Sequence, residues 1–467
     1  MVGAVALREL LEASALEQAD LIRRGEISSE ELVGLYLDRI ADQNPRVSAF
    51  VQVLEKSALA EARAADKRRS KVDATAEPFL GVPIGIKDLN PAKGSFTRMG
   101  SRAFERLYTP FDCATTARLR RGGFVVIGKT STSELGSLPV TEPDIHPPTR
   151  NPWDLEVTPG GSSGGAGAAV AARMIPIAQG SDAAGSIRIP SSLCLLFGIK
   201  PSRGRVENSY GYEDRTIIYS CGPLARTVDD AATMLDVMAG LTTGEPHWAP
   251  PPPRPFAELA RRTPPRLRIR FTTKSSLADT HEEVADAVRR FARTLAKLGH
   301  DVEEGAMAEG DIEEFMPVWQ FSAAQAPVHD WSLTQPVTRW LGEHGKTVSA
   351  EQVERLTAKM EKQVLDWFGD ADIWVTPTVA VAPDRIGAWR DLSPPDAFAR
   401  AAKMGVFTAP FNVSGQPAVS VPAGLTRAGH PIGVQIAGRP LADATVLQLA
   451  RQLEAELPWN HLRPPRD

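Results

Sequence analysis

The chain has 467 residues, of which 42% are apolar and 24% are charged. This length can bury a large core, and the composition is typical of a soluble globular protein. The 53 basic and 57 acidic residues leave a net charge of −4 at pH 7, which indicates no basic surface for nucleic acid or an anionic membrane. We therefore expect neither a nucleic-acid partner nor a membrane partner.

The cysteines argue against a disulfide framework. Cys113, Cys194 and Cys221 are widely spaced and form no CxxC pair, so neither disulfides nor a cysteine-ligated zinc site is expected. Segment 1–14 lacks the basic and apolar regions of a secretory signal. No window reaches about 18 uninterrupted apolar residues, the length that a spanning helix requires. These observations favour a reducing, cytoplasmic location.

Helices and strands alternate along the chain. A helix is predicted over 28–44, with a serine cap and a stop at Asn44-Pro45, and a second helix over 55–70. We therefore predict that segment 1–70 is helical. Further along, the predicted strands are 81–87, 124–130, 266–271, 372–378 and 417–424, and the predicted helices are 114–123, 284–298 and 444–457. This alternation predicts an α/β fold with a largely covered sheet. The proline-rich stretch 250–256 is interpreted as a surface crossing, so one domain over 1–467 is expected, with a core over 71–460.

The stretch GGSSGGAGAAV at 160–170 has several possible meanings. A flexible linker is disfavoured because the stretch continues into AGAAVAARM, which is typical of a tightly packed buried helix. A phosphate-binding loop is matched formally at 123–130, GFVVIGKT, but its four intervening residues are apolar and β-forming. That match is interpreted as chance.

A serine-hydrolase turn is a further reading, because 160–164 fits G-x-S-x-G with Ser162 as the nucleophile. The segment before it, 150–159, contains two prolines and scattered charges and makes a poor central strand. The downstream histidines lie in uninformative contexts: His300, His329 and His430. An esterase of the α/β-hydrolase type with Ser162 as nucleophile stays open as an alternative.

A second turn of small residues, 183–186, ends at Ser186. Successive backbone amides in such a turn can converge on one oxyanion, and a serine that closes the turn is placed to attack a carbonyl. A serine nucleophile needs a base. Lys87 ends the strand predicted at 81–87; a lysine at a strand end is usually solvated, but a buried one loses its proton readily and can act as a base.

Four segments together carry a family resemblance: 160–191, GVPIGIKD at 81–88, GPLARTVDDAATMLDVMAG at 222–240 and FNVSGQPAVSVPAG at 411–424. With them the chain resembles the amidase signature family over about residues 10–460. The resemblance implies a single domain with a mixed, mostly covered β-sheet flanked by helices, and it places the family's signature at 160–191.

The resemblance also implies a Ser–cis-Ser–Lys triad. Ser186 corresponds to the nucleophile, Ser162 to a proton relay that follows a cis peptide bond, and Lys87 to the base. The implied oxyanion hole consists of the backbone amides of Ala183, Ala184, Gly185 and Ser186. Supporting roles fall on Ser163, Asp182 and Arg188. The family more often has Gly-Gly before the nucleophile, so Ala184 is a departure that narrows the acyl side.

The resemblance further implies the substrate class. Segments 139–143, 149–155, 180–190 and 407–417 are most similar to a branch that hydrolyses the cyclic dimer of 6-aminohexanoate, a nylon by-product, and related enzymes cleave carbamates. We expect a small-molecule amide or carbamate substrate, no metal or organic cofactor, and a monomer or homodimer. Candidate substrate contacts are Met99, Gly136, Ser137, Trp319, Phe321, Trp331 and Trp340. The alternative within the family is the amidase subunit of a glutamine-dependent tRNA amidotransferase.

Overall fold

One large sheet organises the molecule, for which the computed structural model describes residues 9–206, 216–242, 247–307 and 310–465. The strands are β1 Phe50–Val53, β2 Pro83–Lys87, β3 Ser95–Phe96, β4 Tyr108–Thr109, β5 Val125–Thr130, β6 Ile177–Asp182, β7 Phe197–Lys200, β8 Ser220–Ala225, β9 Arg268–Phe271, β10 Asp301–Glu304, β11 Ile373–Pro377, β12 Ala418–Leu425 and β13 Pro431–Gly438. Eleven of them form the sheet in the order β1-β5-β2-β6-β8-β7-β12-β13-β11-β9-β10, and β3 and β4 form a separate ribbon.

The helices fill the connections between these strands. They are α1 Ala15–Arg24, α2 Ser29–Val47, α3 Glu55–Arg68, α4 Ala114–Arg121, α5 Gly164–Ala171, α6 Arg188–Leu193, α7 Val228–Met238, α8 Phe256–Ala260, α9 Glu282–Lys297, α10 Ile312–Ala324, α11 Pro336–Gly345, α12 Ala350–Phe368, α13 Pro394–Gly405, α14 Ala409–Val413 and α15 Asp443–Glu456. Helices α5, α7 and α9 pack against the sheet. The chain is therefore a single α/β domain, as predicted.

The sheet is mixed and its centre is buried. Strand β2 runs parallel to both β5 and β6, whereas β8 is antiparallel to β6 and β7. Every residue of β2, β5 and β6 is buried. Because β5 contains the Gly-Lys-Thr of the formal phosphate-loop match, the interpretation of that match as chance is confirmed. The carboxyl ends of the parallel strands β2 and β6 lie at the same edge of the sheet.

The N-terminal segment differs from its prediction in two places. Helix α2 does not stop at Asn44-Pro45 but continues through Pro45 to Val47, and it ends at Ser48 in the left-handed conformation. Strand β1 also lies inside the segment that was described as helical, and it pairs with β5 at the sheet edge. The cap prediction is confirmed, because Ser28 and Glu31 form a reciprocal capping box.

The glycine-rich stretch forms a buried helix, α5, and is not a linker. Its glycines are required by close packing: a Cβ on Gly165 would lie 2.3 Å from the backbone nitrogen of Ser131. A Cβ on Gly164 would lie 2.3 Å from Thr141 Oγ1. This close approach holds the start of α5 against Ser131, the residue that follows β5.

The helices of residues 9–206, 216–242, 247–307 and 310–465 are all too short or too polar to span a bilayer.

Candidate active site

Lys87 is the last residue of β2, and its side chain is completely buried. Its Nζ lies 2.7 Å from Ser162 Oγ and 3.0 Å from Ser181 Oγ, with the Ser181 carbonyl oxygen at 3.3 Å. The backbone amide of Lys87 donates to Gln179 Oε1 on the neighbouring strand β6. The alternative of a solvated strand-end lysine is therefore wrong, because Ser162 and Ser181 enclose the amine at the buried end of β2.

Burial changes the protonation of this amine. Desolvation lowers the pKa of Lys87 to about 7, and the nearby Cys221 and Asp182 act in the opposite direction without restoring the usual value. A large fraction of the Lys87 side chain is therefore neutral near pH 7. A neutral amine within hydrogen-bond distance of a serine hydroxyl can accept that hydroxyl's proton.

Ser162 follows a cis peptide bond from Gly161, as predicted. The chain is tightly enclosed at this point, since a Cβ on Gly161 would lie 2.8 Å from the backbone of Pro139. Gly160 adopts a positive φ of 84°, a conformation that glycine adopts without steric cost. Together these glycines allow the backbone to turn so that the hydroxyl of Ser162 meets Lys87.

Ser186 is brought beside this pair by its own turn. The Ser163 amide donates to the Ser186 carbonyl oxygen at 3.2 Å, and Ser163 Oγ donates to the Ser181 carbonyl oxygen at 3.1 Å. Ser163 therefore joins the Ser162 segment, the Ser186 turn and strand β6. The Ser186 hydroxyl itself makes no hydrogen bond within the described residues, and it lines an open cavity. The link between the hydroxyls of Ser162 and Ser186 is thus not closed in this structure.

The backbone amides of the turn that ends at Ser186 differ in whether they already have a hydrogen-bond acceptor. The Gly185 amide donates to Asp182 Oδ1 at 2.7 Å, so it is already occupied. The amides of Ala183, Ala184 and Ser186 find no acceptor in the described part of the chain, which leaves them free for an external oxyanion. The expectation that Gly185 contributes its amide to the oxyanion hole is therefore not met in this conformation.

Asp182 and Arg188 hold the turn from beneath. Arg188 is completely buried and forms an ion pair with Asp182. Its guanidinium also donates hydrogen bonds to Gln435 Oε1, to Asn412 Oδ1 and to the Thr408 carbonyl oxygen. Burial alone would raise the pKa of Asp182, but the charge and hydrogen bonds of Arg188 hold it well below its usual range. Asp182 therefore stays ionised and accepts from the amides of Gly185 and Ile187.

A cavity of about 200 Å³ lies above the Ser186 hydroxyl. Of the predicted substrate contacts, Gly136, Ser137 and Trp319 line it. A Cβ on Gly136 would lie 3.4 Å from Ser162 Oγ, so this loop also faces the triad. Met99 lines a smaller neighbouring cavity, together with Ser137 and Trp319. The remaining candidates, Phe321, Trp331 and Trp340, line neither cavity.

Sequence reasoning missed several contributors to this site. Ser181 contacts the Lys87 amine, and it lies inside the 160–191 segment on a strand that the sequence pattern did not reveal. Asn412 of α14 and Gln435 of β13 hold the Asp182–Arg188 pair. Asn412 lies in segment 411–424, which carries part of the family resemblance, and that resemblance could have indicated its role. No sequence pattern pointed to Gln435.

The esterase alternative lacks its structural context. No strand precedes Ser162, since the residues 158–161 form an irregular segment. Two of the three histidines are occupied elsewhere: His300 contacts the Leu267 amide and Gln452, and His430 contacts Asp154. In the described part of the chain, the hydrogen-bond partner of Ser162 Oγ is Lys87.

The chain belongs to the Amidase family, whose sequence profile matches residues 31–447. It is 34% identical to the 6-aminohexanoate-cyclic-dimer hydrolase of Paenarthrobacter ureafaciens, over 96% of this chain and 96% of that protein. The same description and the same values hold for a protein of Pseudomonas sp. (strain NK87). A solved structure of 6-aminohexanoate cyclic dimer hydrolase complexed with substrate superposes with a TM-score of 0.89 at 33% identity, covering 97% of this chain and 99% of that one. The chain is therefore an amidase signature hydrolase that acts on C–N amide bonds.

Proposed function

We propose that this enzyme hydrolyses non-peptide amides, namely cyclic or oligomeric amides and carbamates, through an acyl-enzyme on Ser186. The observation that carries the proposal is the 2.7 Å contact between the buried Lys87 amine and Ser162 Oγ. The likeness to 6-aminohexanoate-cyclic-dimer hydrolases supports the substrate class. A carbamate presents the same planar carbonyl to the nucleophile.

The proton moves along the three side chains. The Ser186 hydroxyl proton passes to Ser162 Oγ as the Ser162 proton passes to neutral Lys87 Nζ, and Ser186 Oγ forms a bond to the substrate carbonyl carbon. The amides of Ala183, Ala184 and Ser186 stabilise the resulting oxyanion. When the C–N bond breaks, the proton returns through Ser162 to the departing nitrogen.

Deacylation uses the same groups, with water in the place of Ser186 and Ser186 in the place of the departing nitrogen. A water molecule gives its proton through Ser162 to Lys87 while its oxygen attacks the acyl carbonyl carbon. The bond to Ser186 Oγ breaks, and Ser186 recovers its proton by the same route. The acid product then leaves the cavity; from a carbamate it is a carbonate monoester or a carbamic acid, according to which bond was broken first.

The test is mass spectrometry after brief incubation with a slowly deacylating aryl carbamate. We expect a single carbamoyl adduct on the peptide that carries Ser186, and no adduct on Ser186→Ala. Ser191→Ala is the matched control, because Ser191 Oγ is buried nearby without a hydrogen-bond partner in the described structure. An adduct on Ser162 would restore the esterase mechanism, and the absence of any adduct in an amide-hydrolysing preparation would remove carbamates from the proposal.

The tRNA amidotransferase alternative is tested in parallel. Such a subunit would release ammonia from glutamine, and a coupled assay for glutamate measures this directly. We expect no glutaminase activity above the Ser186→Ala background, together with turnover of a small non-peptide amide.

A further inference from the structure

The cavity above Ser186 has an uneven charge distribution. Its charged lining residues in the described chain are Asp311 and Glu314, both acidic, and no lysine, arginine or histidine lines it. The rest of the wall is mostly apolar and includes Leu138, Ile189, Leu277, Phe315, Trp319 and Val413. A ligand that fills this cavity therefore meets apolar side chains and two carboxylates.

Both acids lie at the N-terminal end of helix α10. Asp311 is exposed and caps the helix, since its Oδ1 accepts from the Glu313 amide at 2.7 Å. Glu314 is less exposed and pairs with Lys359 of α12. The Lys359 side chain is 54% exposed and lies outside the cavity lining, so it does not offer a cation to a ligand inside.

This arrangement distinguishes ligands by charge. A carboxylate that enters the cavity gives up hydration without gaining a cationic partner, and it approaches the like charge of Asp311 and that of Glu314, which Lys359 offsets in part. An apolar chain of the same length gains from the burial of its surface. A terminal ammonium gives up hydration but meets Asp311 and Glu314, so its cost is smaller than that of a carboxylate.

We infer that the cavity accepts amides whose acyl chain is apolar and carries no negative charge, and that Asp311 and Glu314 exclude acyl chains bearing a carboxylate. The inference rests on the proposed function, since it concerns the acyl side of the same site. It also separates the substrate from glutamine, whose acyl half bears an α-carboxylate.

Three para-nitroanilides of equal chain length test the inference: hexanoyl, 6-aminohexanoyl and 5-carboxypentanoyl. We expect kcat/KM to be highest for the hexanoyl substrate, lower for the ammonium and lowest for the carboxylate, with the hexanoyl and carboxylate substrates about 100-fold apart. Equal values for the hexanoyl and 5-carboxypentanoyl substrates would overturn the inference.

The variants assign the effect to the two acids. The double substitution Asp311→Asn with Glu314→Gln keeps the helix cap, because asparagine caps as well as aspartate does. It should raise kcat/KM for the carboxylate substrate about tenfold relative to the hexanoyl value of the same variant. Glu313→Gln is the matched control, since Glu313 is in the same turn, is exposed and does not line the cavity. A rise of the same size in Glu313→Gln, or no rise in the double variant, contradicts the assignment.

Binding separates this inference from the proposed function. The affinities of hexananilide and the matching carboxylate anilide for Ser186→Ala are measured by calorimetry. If no anilide is hydrolysed by the wild-type chain but hexananilide binds at least tenfold more tightly than its carboxylate analogue, the proposed function fails and the charge selection holds. Equal affinities overturn the charge selection whether or not turnover occurs.

Discussion

Arg188 Nη2 lies 2.8 Å from Asp182 Oδ1, and Arg188 Nε lies 3.0 Å from the other carboxylate oxygen. This two-contact pair is fully buried, and it spans the turn that ends at Ser186. The geometry is the bidentate arrangement that a guanidinium makes and an ammonium cannot. The pair holds the turn that carries Ser186, the proposed nucleophile.

We predict that Arg188→Met severely destabilises the protein. Removing the guanidinium leaves Asp182 as an unpaired buried charge, which costs about 3–5 kcal/mol. Urea unfolding, followed by tryptophan fluorescence, measures the free energy of unfolding. Arg427→Met is the control, because the Arg427 side chain is 96% exposed and its removal should leave stability unchanged. A loss below about 1 kcal/mol for Arg188→Met would show that the pair is not holding the turn.

The activity should depend on pH through Lys87. Because its pKa is lowered to about 7, kcat/KM for a neutral amide should fall about tenfold for each pH unit below 7 and level off above it. The profile from pH 5.5 to 9 with an uncharged anilide measures this. Lys87→Met should be inactive throughout. A wild-type profile that is flat across pH 7 contradicts a proton-accepting role for this amine.

The same lysine should affect stability with a definite sign. An unfolded lysine has a pKa of about 10.4, so the folded chain binds fewer protons than the unfolded chain between pH 7 and that value. The stability of the wild type, relative to Lys87→Met, should therefore rise with pH from 7 towards 10. Parallel urea titrations at pH 7, 8 and 9 check this. A difference that shrinks or stays constant with rising pH would be the contrary outcome.

Ser181 should act as a positioning residue for Lys87. Ser181→Ala removes one of the two hydroxyl groups near Nζ, and we expect kcat to fall about 10- to 100-fold with little change in KM. The lost oxygen also stabilises the charged amine, so the acid limb of the pH profile should move to lower pH. Ser191→Ala again serves as the control. An unchanged pH profile with a reduced kcat would indicate a structural role only.

Trp319 should influence substrate selection. Its ring lines both cavities, and its indole nitrogen donates to the Ser137 carbonyl oxygen at 3.2 Å. Trp319→Phe keeps an aromatic ring but removes the indole nitrogen and therefore this hydrogen bond, so KM should rise up to about tenfold while kcat changes less. Trp340→Phe, at a residue that lines neither cavity, should leave KM unchanged. Equal KM values for all three proteins would refute the role of this hydrogen bond.

Gly185 should tolerate no side chain. Its φ is 127°, and a Cβ there would lie 2.3 Å from Thr408 Oγ1. Gly185→Ala should displace the turn and with it the unpaired amides of Ala184 and Ser186, so kcat should fall by at least about 100-fold. Gly429→Ala is the matched control, because Gly429 also has a positive φ but a Cβ there would contact nothing within 4 Å. Comparable kcat values for the two variants would show that the close contact with Thr408 is unimportant.

The sequence predicted the parts of the fold whose pattern is local. Strands β2, β5, β9, β11 and β12 were predicted to within a few residues because each has a run of β-branched or apolar residues. Strands β6 and β8 were missed, since IAQGSD and SCGPLA are rich in small and polar residues. Both strands are buried in the sheet, where neighbouring backbones, and not side-chain propensity, determine their conformation.

In the candidate site, too, the features with a local sequence pattern were predictable and those that depend on distant contacts were not. Lys87, Ser162 and Ser186 could be placed by resemblance because they lie in distinctive segments. The burial of Lys87 was not readable, because it depends on strands that pair on both sides of β2. The occupied amide of Gly185 was also not readable, since it results from the orientation of the Asp182 carboxylate. Contacts such as that between Arg188 and Gln435 join residues far apart in the chain and leave no local pattern.

The position of β12 and β13 in the sheet has a consequence for folding. Strand β7 pairs with β12, and Gln435 of β13 reaches Arg188, so the turn that carries Ser186 is completed by a hairpin near the other end of the chain. Such distant pairings make assembly slow, because long loops must close before the contacts form. A fragment that ends before β12 would contain all three residues of the proposed triad, and the turn that carries Ser186 would still not be ordered. Recovery of enzymatic activity during refolding should therefore report the docking of this hairpin, and not the earlier formation of β2, which bears Lys87.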